Sequence, residues 1–393
     1  MADSFTETTS QGWLSRLMES IKSVLVGLVL FVLAFPLLFW NEGRAVRTAQ
    51  SLEEGAGVVV SVAAATVEPG NEGRLVHLSG EATTTETLAD PEFGVRANAI
   101  KLTRNVAMYQ WKEEKKSETK KKVGGGEETV TTYTYKKDWS DRPVDSSDFK
   151  EPAGHTNPTS FPVEEKSQVA SKVTLGGFTL SDPVVQRLDQ HTDVPVDPST
   201  LPPGMKGRVA ASGAGYYMGA NPQSPQVGDV RIAFKAVKPA TVSLVARQVR
   251  DTFEAYPAKA GDQILLLKYG TLSADAMFKA AQAENATLTW ILRFVGFLIM
   301  FFGILMVFRP LVVFADVIPL FGTLLGAGIG VFAGLGAAVL SLVTIAVSWI
   351  FFRPLLGIAL LVLAAGGIAA LVMVGLKKKQ ARVAVPTKQR GVA

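Results

Sequence analysis

The sequence predicts a membrane α-helical protein of about four spans that also carries a large α+β, strand-dominated domain outside the membrane. Two observations lead to this fold class. Apolar residues are concentrated near the two ends of the 393-residue chain, and only 19% of all residues are charged, against about 25% in typical soluble domains. The middle of the chain instead shows short alternating apolar patterns separated by turn residues, which is typical of strands.

The first predicted span covers residues 21–40. Residues 24–40 hold no charge and would measure about 25 Å as a helix, which reaches across a bilayer when the helix extends back through Ile21. Leu38-Phe39-Trp40 stand where a signal peptidase requires small residues, so we expect a retained anchor. Residues 1–20 carry an apolar stripe at helical spacing, which predicts a cytoplasmic or interfacial segment or an extension of the same helix: Trp13, Leu14, Leu17, Met18 and Ile21.

Residues 41–289 form the predicted extramembrane domain. Alternating patterns predict a long β-hairpin made of residues 99–112 and 129–139, with Gly124-Gly125-Gly126 at its tip. A second hairpin is predicted to join Val230–Val237 to Thr241–Arg250 through Lys238-Pro239-Ala240. Asp262–Tyr269 is predicted to be a buried strand, and Ser273 to cap a stem helix that leads into the next span.

The C-terminal apolar region predicts three further spans. Residues 290–308 form the second span and residues 353–376 the fourth. Between them, residues 317–352 hold no charge and would measure about 54 Å as one helix, which exceeds the bilayer core of about 30 Å. We therefore expect residues 309–352 to contain an interfacial or re-entrant segment, broken at Pro319, and then the third span. A helical hairpin, which would give five spans, is the alternative.

The basic tail, residues 377–393, sets the predicted orientation. It begins with Lys377-Lys378-Lys379, and basic residues directly after a span favour the cytoplasmic side. With four spans the N-terminus lies on that side too, and residues 41–289 lie across the membrane, in the periplasm or an organelle lumen. Five spans would separate the two termini.

No chemistry-bearing constellation is visible in the sequence. There are no cysteines, which excludes disulfides, thiol catalysis and cysteine metal sites. The three histidines lack metal-ligand spacing: His191, between Asp189 and Asp193, is interpreted as part of a solvated loop, and His155 as a structural histidine in a turn. We expect no catalytic residue, cofactor or metal, and therefore no enzyme. The net charge of +5 and the glutamate-interrupted lysines at 112–122 do not predict a nucleic-acid surface.

A stripe of small residues marks the third predicted span. Its members lie four residues apart, which places them on one side of a helix and lets another helix approach closely: Gly322, Gly326, Gly330, Gly334 and Ala338. Packing within the protein, self-association and the lining of a pore all use such a stripe, and these alternatives stay open.

The tetrapeptide Asn-Glu-Gly-Arg occurs twice, as Asn41, Glu42, Gly43, Arg44 and as Asn71, Glu72, Gly73, Arg74. The first copy meets the end of a span, where Gly43 is predicted to terminate the helix and Arg44 to lie among headgroups. The second copy follows Glu68-Pro69-Gly70 and is predicted to form the turn before a strand. No wider similarity surrounds the two copies, so a repeat architecture is not predicted.

Both copies belong to an ordered set of motifs: NEGRAVRTAQSLEEG, NEGRLVHLSG, DPEFGV, AIKLTRNVAMYQWKEE, GHTNP, SGAGYYM and VGDVRIAF. By this set, nearly the whole chain resembles the LUMA family, transmembrane protein 43. The resemblance draws in Gly154, His155, Asn157 and Pro158 of the GHTNP motif and Gly228 and Asp229 of VGDVRIAF. It implies a multipass protein whose large domain faces the lumen of the endoplasmic reticulum or nuclear envelope in animals, and it brings no catalytic residue.

The resemblance also implies a membrane organiser that self-associates and, in animals, contacts nuclear-envelope proteins such as emerin and lamins. The Ala- and Gly-rich composition indicates a prokaryotic member, for which lamin-type partners do not apply. Such a member would lie in the inner membrane, with both termini cytoplasmic and residues 41–289 periplasmic.

The function predicted on this basis is a non-enzymatic multipass scaffold. Its expected partners are the lipid bilayer, further copies of the chain and other membrane proteins. One alternative is an oligomeric channel or pore that uses the glycine-striped helix. The other is a hydrolase or ligand-binding receptor that acts through the large domain.

Overall fold

The structure is a computed structural model that describes residues 3–355, 357 and 358. Its helices are α1 (Trp13–Val58), α2 (Asp182–Gln186), α3 (Ala274–Ala315) and α4 (Pro319–Phe352). In the described part of the chain, α1, α3 and α4 are long and apolar enough to cross a membrane. The combination of membrane helices and a large strand-rich domain is therefore confirmed, with three candidate spans where the sequence predicts about four.

The strands are β1 (Asp3–Gln11), β2 (Val60–Ser61), β3 (Leu75–Thr83), β4 (Thr87–Asp90), β5 (Val95–Asn98), β6 (Lys101–Lys121), β7 (Glu127–Ser140), β8 (Lys166–Val169), β9 (Thr174–Leu175), β10 (Phe178–Thr179), β11 (His191–Val194), β12 (Ala210–Ser212), β13 (Gly215–Met218), β14 (Val230–Val237), β15 (Ala240–Val249), β16 (Thr252–Glu254), β17 (Tyr256–Pro257), β18 (Gln263–Ile264) and β19 (Leu266–Tyr269). One sheet has the order β1-β7-β6-β14-β13-β12, with β11 also on β14 and β8 on β6. A second has the order β10-β9-β3-β15-β16, with β19 on β15 and β2 on β3. The pairs β4–β5 and β17–β18 stand apart.

The chain divides into two compact units. The large unit comprises residues 3–18, 48–284 and 313–322, and the helical unit comprises residues 19–47, 285–312 and the described residues from 323 onward. The main apolar core of the large unit draws buried side chains from both sheets, for example Leu78, Leu102, Phe234 and Leu244. Sheets whose apolar faces meet in this way exclude water from a shared core.

The long hairpin is confirmed and is longer than predicted. β6 and β7 pair from Met108–Ser140 to Lys121–Glu127, and Gly124 and Gly125 at the tip have φ of 90° and 79°, values that side-chain-bearing residues rarely adopt. In the first half of β6 every second residue is buried, as in Leu102 and Val106. The second half is exposed and polar, which the apolar alternation did not reveal.

The second predicted hairpin is wrong, although both of its strands exist. β14 pairs with β6, β13 and β11 in one sheet, whereas β15 pairs with β3, β19 and β16 in the other. Both edges of each strand are therefore occupied by other partners, and the chain passes from one sheet to the other at Lys238-Pro239. The predicted strand Asp262–Tyr269 is likewise divided into β18 and β19, which pair with different strands.

The N-terminal residues form a strand that the sequence did not predict. Residues 3–11 of β1 pair with residues 127–135 of β7 in antiparallel register. The sequence predicted a cytoplasmic or interfacial segment, or an extension of α1, for residues 1–20, and the strand is an addition to it. The side of the membrane on which these residues lie stays a prediction.

The helices are longer and less interrupted than predicted. α1 continues through Pro36 and Gly43 to Val58, so Gly43 does not end it. α3 joins the predicted stem helix and second span in one helix, and Ser273 Oγ accepts a bond from the backbone N–H of Ala276, as expected of a cap. α4 begins at Pro319 and has no break, because proline is accommodated in the first turn of a helix. The predicted break at Pro319 corresponds to the interruption between α3 and α4, and residues 319–352 show no re-entrant turn; whether residues 309–318 are interfacial stays a prediction.

Two predicted segments fall outside the part of the chain that the structure describes. The fourth span, residues 353–376, is described only at its start, and the basic tail, residues 377–393, is not described.

Candidate functional site

A polar clamp in the helical unit surrounds the first Asn-Glu-Gly-Arg copy. Successive helical residues point about 100° apart, so four consecutive residues face almost all round α1. The side chains of residues 41–44 contact α3 and α4. We define the clamp by its polar members on the three helices: Asn41, Glu42, Arg44, Asn285, Thr289, Arg293 and Trp349.

Glu42 is the centre of the clamp. Its side chain is 2% exposed, and both carboxylate oxygens accept from Arg293, from Nε at 2.6 Å and from Nη2 at 2.8 Å. Trp349 Nε1 donates to the same carboxylate at 2.8 Å. A carboxylate this deeply buried is tolerated only when paired and hydrogen-bonded, and the two-pronged arginine contact satisfies both of its oxygens. One side chain of α1 is thereby tied to α3 and to α4.

The arginine of this pair is also held by aromatic rings. The guanidinium carbon of Arg293 lies 4.7 Å from the centre of the Trp290 ring and 5.8 Å from that of Trp349. Such cation–π contacts are strengthened where water is excluded. Arg293, to which the sequence analysis assigned no role, is therefore the partner of the motif glutamate.

The other polar residues of the motif bind α3. Asn41 Nδ2 donates to the Thr289 carbonyl at 3.1 Å, and Arg44 donates to Asn285 Oδ1 and Thr289 Oγ1, both at 2.9 Å. Asn285 Nδ2 in turn donates to the Ala45 carbonyl at 2.9 Å. Asn285, Thr289 and Arg293 are four residues apart and so form one stripe on α3. That polar stripe entering an apolar helix was the sequence signal that could have revealed the clamp.

Gly43 has a packing role rather than a terminating one. A Cβ at this position would lie 2.6 Å from Cζ of Phe352, so glycine leaves the space that this ring occupies. The Phe352 ring also lies 5.0 Å from that of Phe39. All four residues of the first copy thus contribute to the junction of three helices.

The second copy, residues 71–74, forms the predicted turn. A short 3₁₀ helix ends at Asn71, Gly73 has φ of 73°, and β3 begins at Leu75. Glu72 Oε2 accepts from the backbone N–H of Arg250 at 2.7 Å. The two copies share one detail: each arginine donates to the asparagine three residues before it, at 3.3 Å for Arg44 and 3.4 Å for Arg74.

The GHTNP motif forms a polar turn in the large unit, in which only His155 and Asn157 are buried. His155 is buried, with Nδ1 at 2.8 Å from the Glu151 carbonyl and Nε2 at 2.9 Å from Asp3 Oδ2. Its ring stacks on Tyr135 at 3.9 Å between centroids, which fits the predicted structural histidine. Gly154 supplies the positive φ of the turn, 84°. A cleft of about 540 Å³ opens beside this turn, with Pro158 on its wall.

The side chain of Asn157, in the same motif, forms hydrogen bonds with backbone groups, as a neighbouring strand would. Its Oδ1 accepts from the Trp111 backbone N–H at 2.8 Å, and its Nδ2 donates to the Trp111 and Val144 carbonyls at 2.9 and 3.2 Å. The side-chain amide thus satisfies backbone groups that would otherwise be unpaired in the interior.

Gly228 and Asp229 form a second, half-buried turn. Asp229 Oδ2 accepts from Tyr217 at 2.5 Å and from the Gln226 backbone N–H at 2.7 Å. Burial, together with the hydrogen bond to Asp229, raises the pKa of Tyr217 to about 12. Gly228 has φ of 97°, which favours glycine there.

The glycine stripe of α4 is packed unevenly. In the large unit, a Cβ on Gly322 would collide with the carboxylate of Asp316. In the helical unit, Cβ atoms on Gly326 and Gly334 would lie 3.5 Å from Val312 and 3.9 Å from Phe301, whereas no described atom lies within 4 Å of one on Gly330. Ala338 is half-buried.

α1 and α3 approach each other closely at two other glycines, Gly27 and Gly303. A Cβ on Gly27 would come within 2.8 Å of the Gly303 carbonyl oxygen, so the backbones of α1 and α3 nearly touch. The small residues at these two positions permit this contact. Neither glycine was singled out in the sequence, because each stands alone in an otherwise bulky apolar run.

The residues that the structure describes include no group of three or more His, Cys, Asp or Glu side chains arranged to hold a metal ion. At the centre of the clamp, the charges of Glu42 and Arg293 are paired with each other. Its geometry serves to fix the register of three helices.

Comparison with known proteins gives consistent matches. A family model described as Transmembrane protein 43 matches residues 108–354. The chain is 37% identical to Transmembrane protein 43 of Rattus norvegicus, over 98% of this chain and 95% of the rat protein. It is 37% identical to the Homo sapiens protein of the same name over 89% of each chain, and 34% identical to a Drosophila melanogaster homolog over 88% and 94%. No solved structure matches this chain significantly.

Proposed function

The chain belongs to the transmembrane protein 43 family, as its ordered motifs predicted, and from this premise we propose that it is a non-enzymatic scaffold of the membrane. In this role the protein associates with further copies of itself and holds other membrane proteins together. The clamp gives the helices a fixed arrangement, and their outer surfaces supply the contacts.

The observation that carries the proposal is the apolar surface that the described chain leaves uncovered. In the most apolar 18-residue window of α1, α3 and α4, only 22%, 22% and 17% of the residues are buried. Helices that are apolar on all sides require lipid or protein around them. Three such helices, locked together by buried polar contacts, offer a rigid apolar surface for helix–helix association.

Small residues give this surface a place for close contact. Gly328 and Gly330 have no described atom within 4 Å of an added Cβ, unlike Gly27 and Gly303, which are in tight contact inside the unit. In membranes, association depends on close packing because lipid is as apolar as the helices. We propose that the Gly328–Gly330 region of α4 meets a second copy.

The test compares Gly330→Leu with Val331→Leu, a change of apolar size at the next, exposed position of the same helix. Both chains are reconstituted in lipid nanodiscs of graded size, and the copy number per disc is counted by native mass spectrometry or single-molecule bleaching. We expect oligomers for the parent chain and for Val331→Leu, and their loss for Gly330→Leu.

Two results would contradict the proposal. One is a monomer for the parent chain at every disc size. The other is a lower unfolding temperature for monomeric Gly330→Leu, which would show that Gly330 packs within its own chain. Ion flux across liposomes that contain the oligomer, abolished by Gly330→Leu, would favour the channel alternative.

For location, we propose the bacterial inner membrane, in keeping with the composition, or the endoplasmic reticulum and nuclear envelope for a eukaryotic chain. The cytoplasmic placement of the basic tail, residues 377–393, stays a prediction from the positive-inside rule.

A further inference from the structure

Two arginines of the helical unit carry charges that no described carboxylate neutralises. Arg47 is exposed and lies one helical turn after Gly43 on α1, and Arg353 is exposed and directly follows the end of α4. Among the residues that the structure describes, neither guanidinium group has an ion-pair or hydrogen-bond partner. Glu42, the carboxylate of the clamp, is already paired with Arg293. The two positive charges are therefore available to a ligand.

Aromatic rings pack beside the two arginines where α1 meets the end of α4. The Phe39 ring lies 5.6 Å from that of Phe351 and 5.0 Å from that of Phe352; we call these three residues the ring cluster. A Cβ on Gly43 would lie 2.6 Å from Cζ of Phe352. Residues four apart share one side of a helix, so Arg47 lies on the side of α1 that faces the end of α4. Both arginines thus adjoin one apolar cluster.

The chain reverses its direction immediately after Arg353. A Cβ on Gly357 would lie 2.9 Å from the Ile350 Cα, whereas seven residues of continuous helix would separate these positions by about 10 Å. Leu355, within this turn, is 86% exposed. A turn in an apolar segment, with an arginine in it, belongs at the surface of a bilayer, because the hydrocarbon core accommodates neither irregular backbone nor an unpaired charge.

Two exposed tryptophans mark the same level on α1 and α3. Trp40 is 52% exposed and Trp290 is 67% exposed. Their neighbours in the sequence are bonded to each other, since Asn41 Nδ2 donates to the Thr289 carbonyl at 3.1 Å. Tryptophan is enriched at the headgroup level of membranes, because its ring is apolar and its N–H is polar. This end of the helical unit therefore has the composition of a headgroup layer.

We propose that Arg47 and Arg353 bind the phosphate of an anionic phospholipid, whose acyl chains lie along the exposed apolar surface of α1 and α4. A guanidinium group donates two parallel hydrogen bonds to phosphate oxygens, and two unneutralised charges favour a lipid with a net negative charge. The ring cluster beside the arginines favours a lipid over a soluble phosphate. All of these residues belong to the helical unit, so the inference depends neither on self-association nor on the placement of the large unit.

The test measures phospholipid binding to the full chain in detergent by native mass spectrometry, with phosphatidylglycerol as the titrant. Arg47→Gln with Arg353→Gln is the site variant. Arg187→Gln with Arg208→Gln, which removes two exposed arginines of the large unit, is the matched control. We expect the first lipid to bind about tenfold more weakly for each site arginine removed, and the control to bind it as the parent chain does. The parent chain should prefer phosphatidylglycerol to phosphatidylcholine, and the site variant should lose this preference.

Three results would overturn the proposal. Equal affinity of the site variant and the control for phosphatidylglycerol would show that the two arginines do not bind lipid. Displacement of the lipid by an equal concentration of inorganic phosphate would identify a site for a soluble anion. An unfolding temperature of the lipid-free site variant well below that of the lipid-free control would assign the arginines a structural role instead.

A second measurement locates the bound lipid. Phosphatidylglycerol that carries a diazirine near its headgroup is cross-linked to the parent chain in nanodiscs, and the modified peptides are mapped. Labelling should concentrate in residues 39–47 and 349–355, and it should be lost from the site variant but not from the control. Labelling that is spread evenly along α1 and α4, or that is unchanged in the site variant, would contradict the assignment.

Discussion

The clamp around Glu42 predicts a large and specific loss of stability when the carboxylate is removed. Glu42→Ala leaves the Arg293 guanidinium, 16% exposed, without its counter-charge and leaves Trp349 Nε1 without its acceptor. Breaking a buried ion pair by removing one partner costs about 3–5 kcal/mol. At about 2–4 °C for each kcal/mol, the unfolding midpoint should fall by roughly 6–20 °C.

The assay is thermal unfolding of the chain in nanodiscs, with the intrinsic tryptophan fluorescence as the signal. Glu53→Ala is the matched control, because Glu53 lies on the same helix but is exposed. We expect Glu53→Ala to change the free energy of unfolding by no more than about 0.5 kcal/mol, as most surface substitutions do. Its unfolding midpoint should therefore stay close to that of the parent chain.

A double-mutant cycle tests whether the cause is the pair itself. Glu42→Met and Arg293→Met should each be strongly destabilising, because each substitution leaves the other member of the buried pair without its partner. The combined variant should recover much of the loss, because apolar residues of similar volume replace a buried pair at little net cost. The reasoning is refuted if the two losses simply add, or if Glu42→Ala behaves like Glu53→Ala.

Three further predictions follow from the packing and the hydrogen bonds. Gly27→Leu should lower the unfolding free energy by about 1–3 kcal/mol in the same assay, because it forces a side chain against the α3 backbone, whereas Gly330→Ala should leave it unchanged. Asn157→Asp replaces a donor that faces two carbonyls by a carboxylate and should cost about 1–3 kcal/mol in urea unfolding; a neutral result would show that the amide bonds are dispensable. The raised pKa of Tyr217, about 12 against its ordinary 10, favours the protonated phenol in the folded state, so its contribution to stability is complete below about pH 10 and is lost as the pH rises toward 12. Urea unfolding between these pH values should show a shallower decline for Tyr217→Phe than for the parent chain, and identical slopes would contradict the assignment.

Much of the fold could be predicted because its signals are local. The apolar runs of α1, α3 and α4, the alternation in β6 and β7, and the serine cap at Ser273 are each encoded by residues close together in sequence. The partners of each strand are not encoded by residues close together in sequence. β14 and β15 follow one another along the chain, yet their neighbours come from β6 and β3, so the predicted hairpin between them failed.

For the sites too, the sequence identified local motifs but not the distant residues that they contact. The motif residues 41–44 were singled out, and the turn at residues 71–74 was predicted correctly, but the partners of Glu42 were not identified. Arg293 and Trp349 lie 251 and 307 residues further along the chain. A pattern in one helix indicates that a polar face exists, and only the packed helices show which charge it meets.

What the sequence by itself determined is the class of the protein: long apolar helices, a strand-rich domain and an ordered set of family motifs. What only the tertiary structure decided is where the polar groups of those helices go and which segments share a surface. The physical reason is that burial of apolar residues follows from composition and periodicity. The pairing of a buried carboxylate, or of β1 with β7, depends instead on which distant groups the whole fold brings within hydrogen-bonding distance.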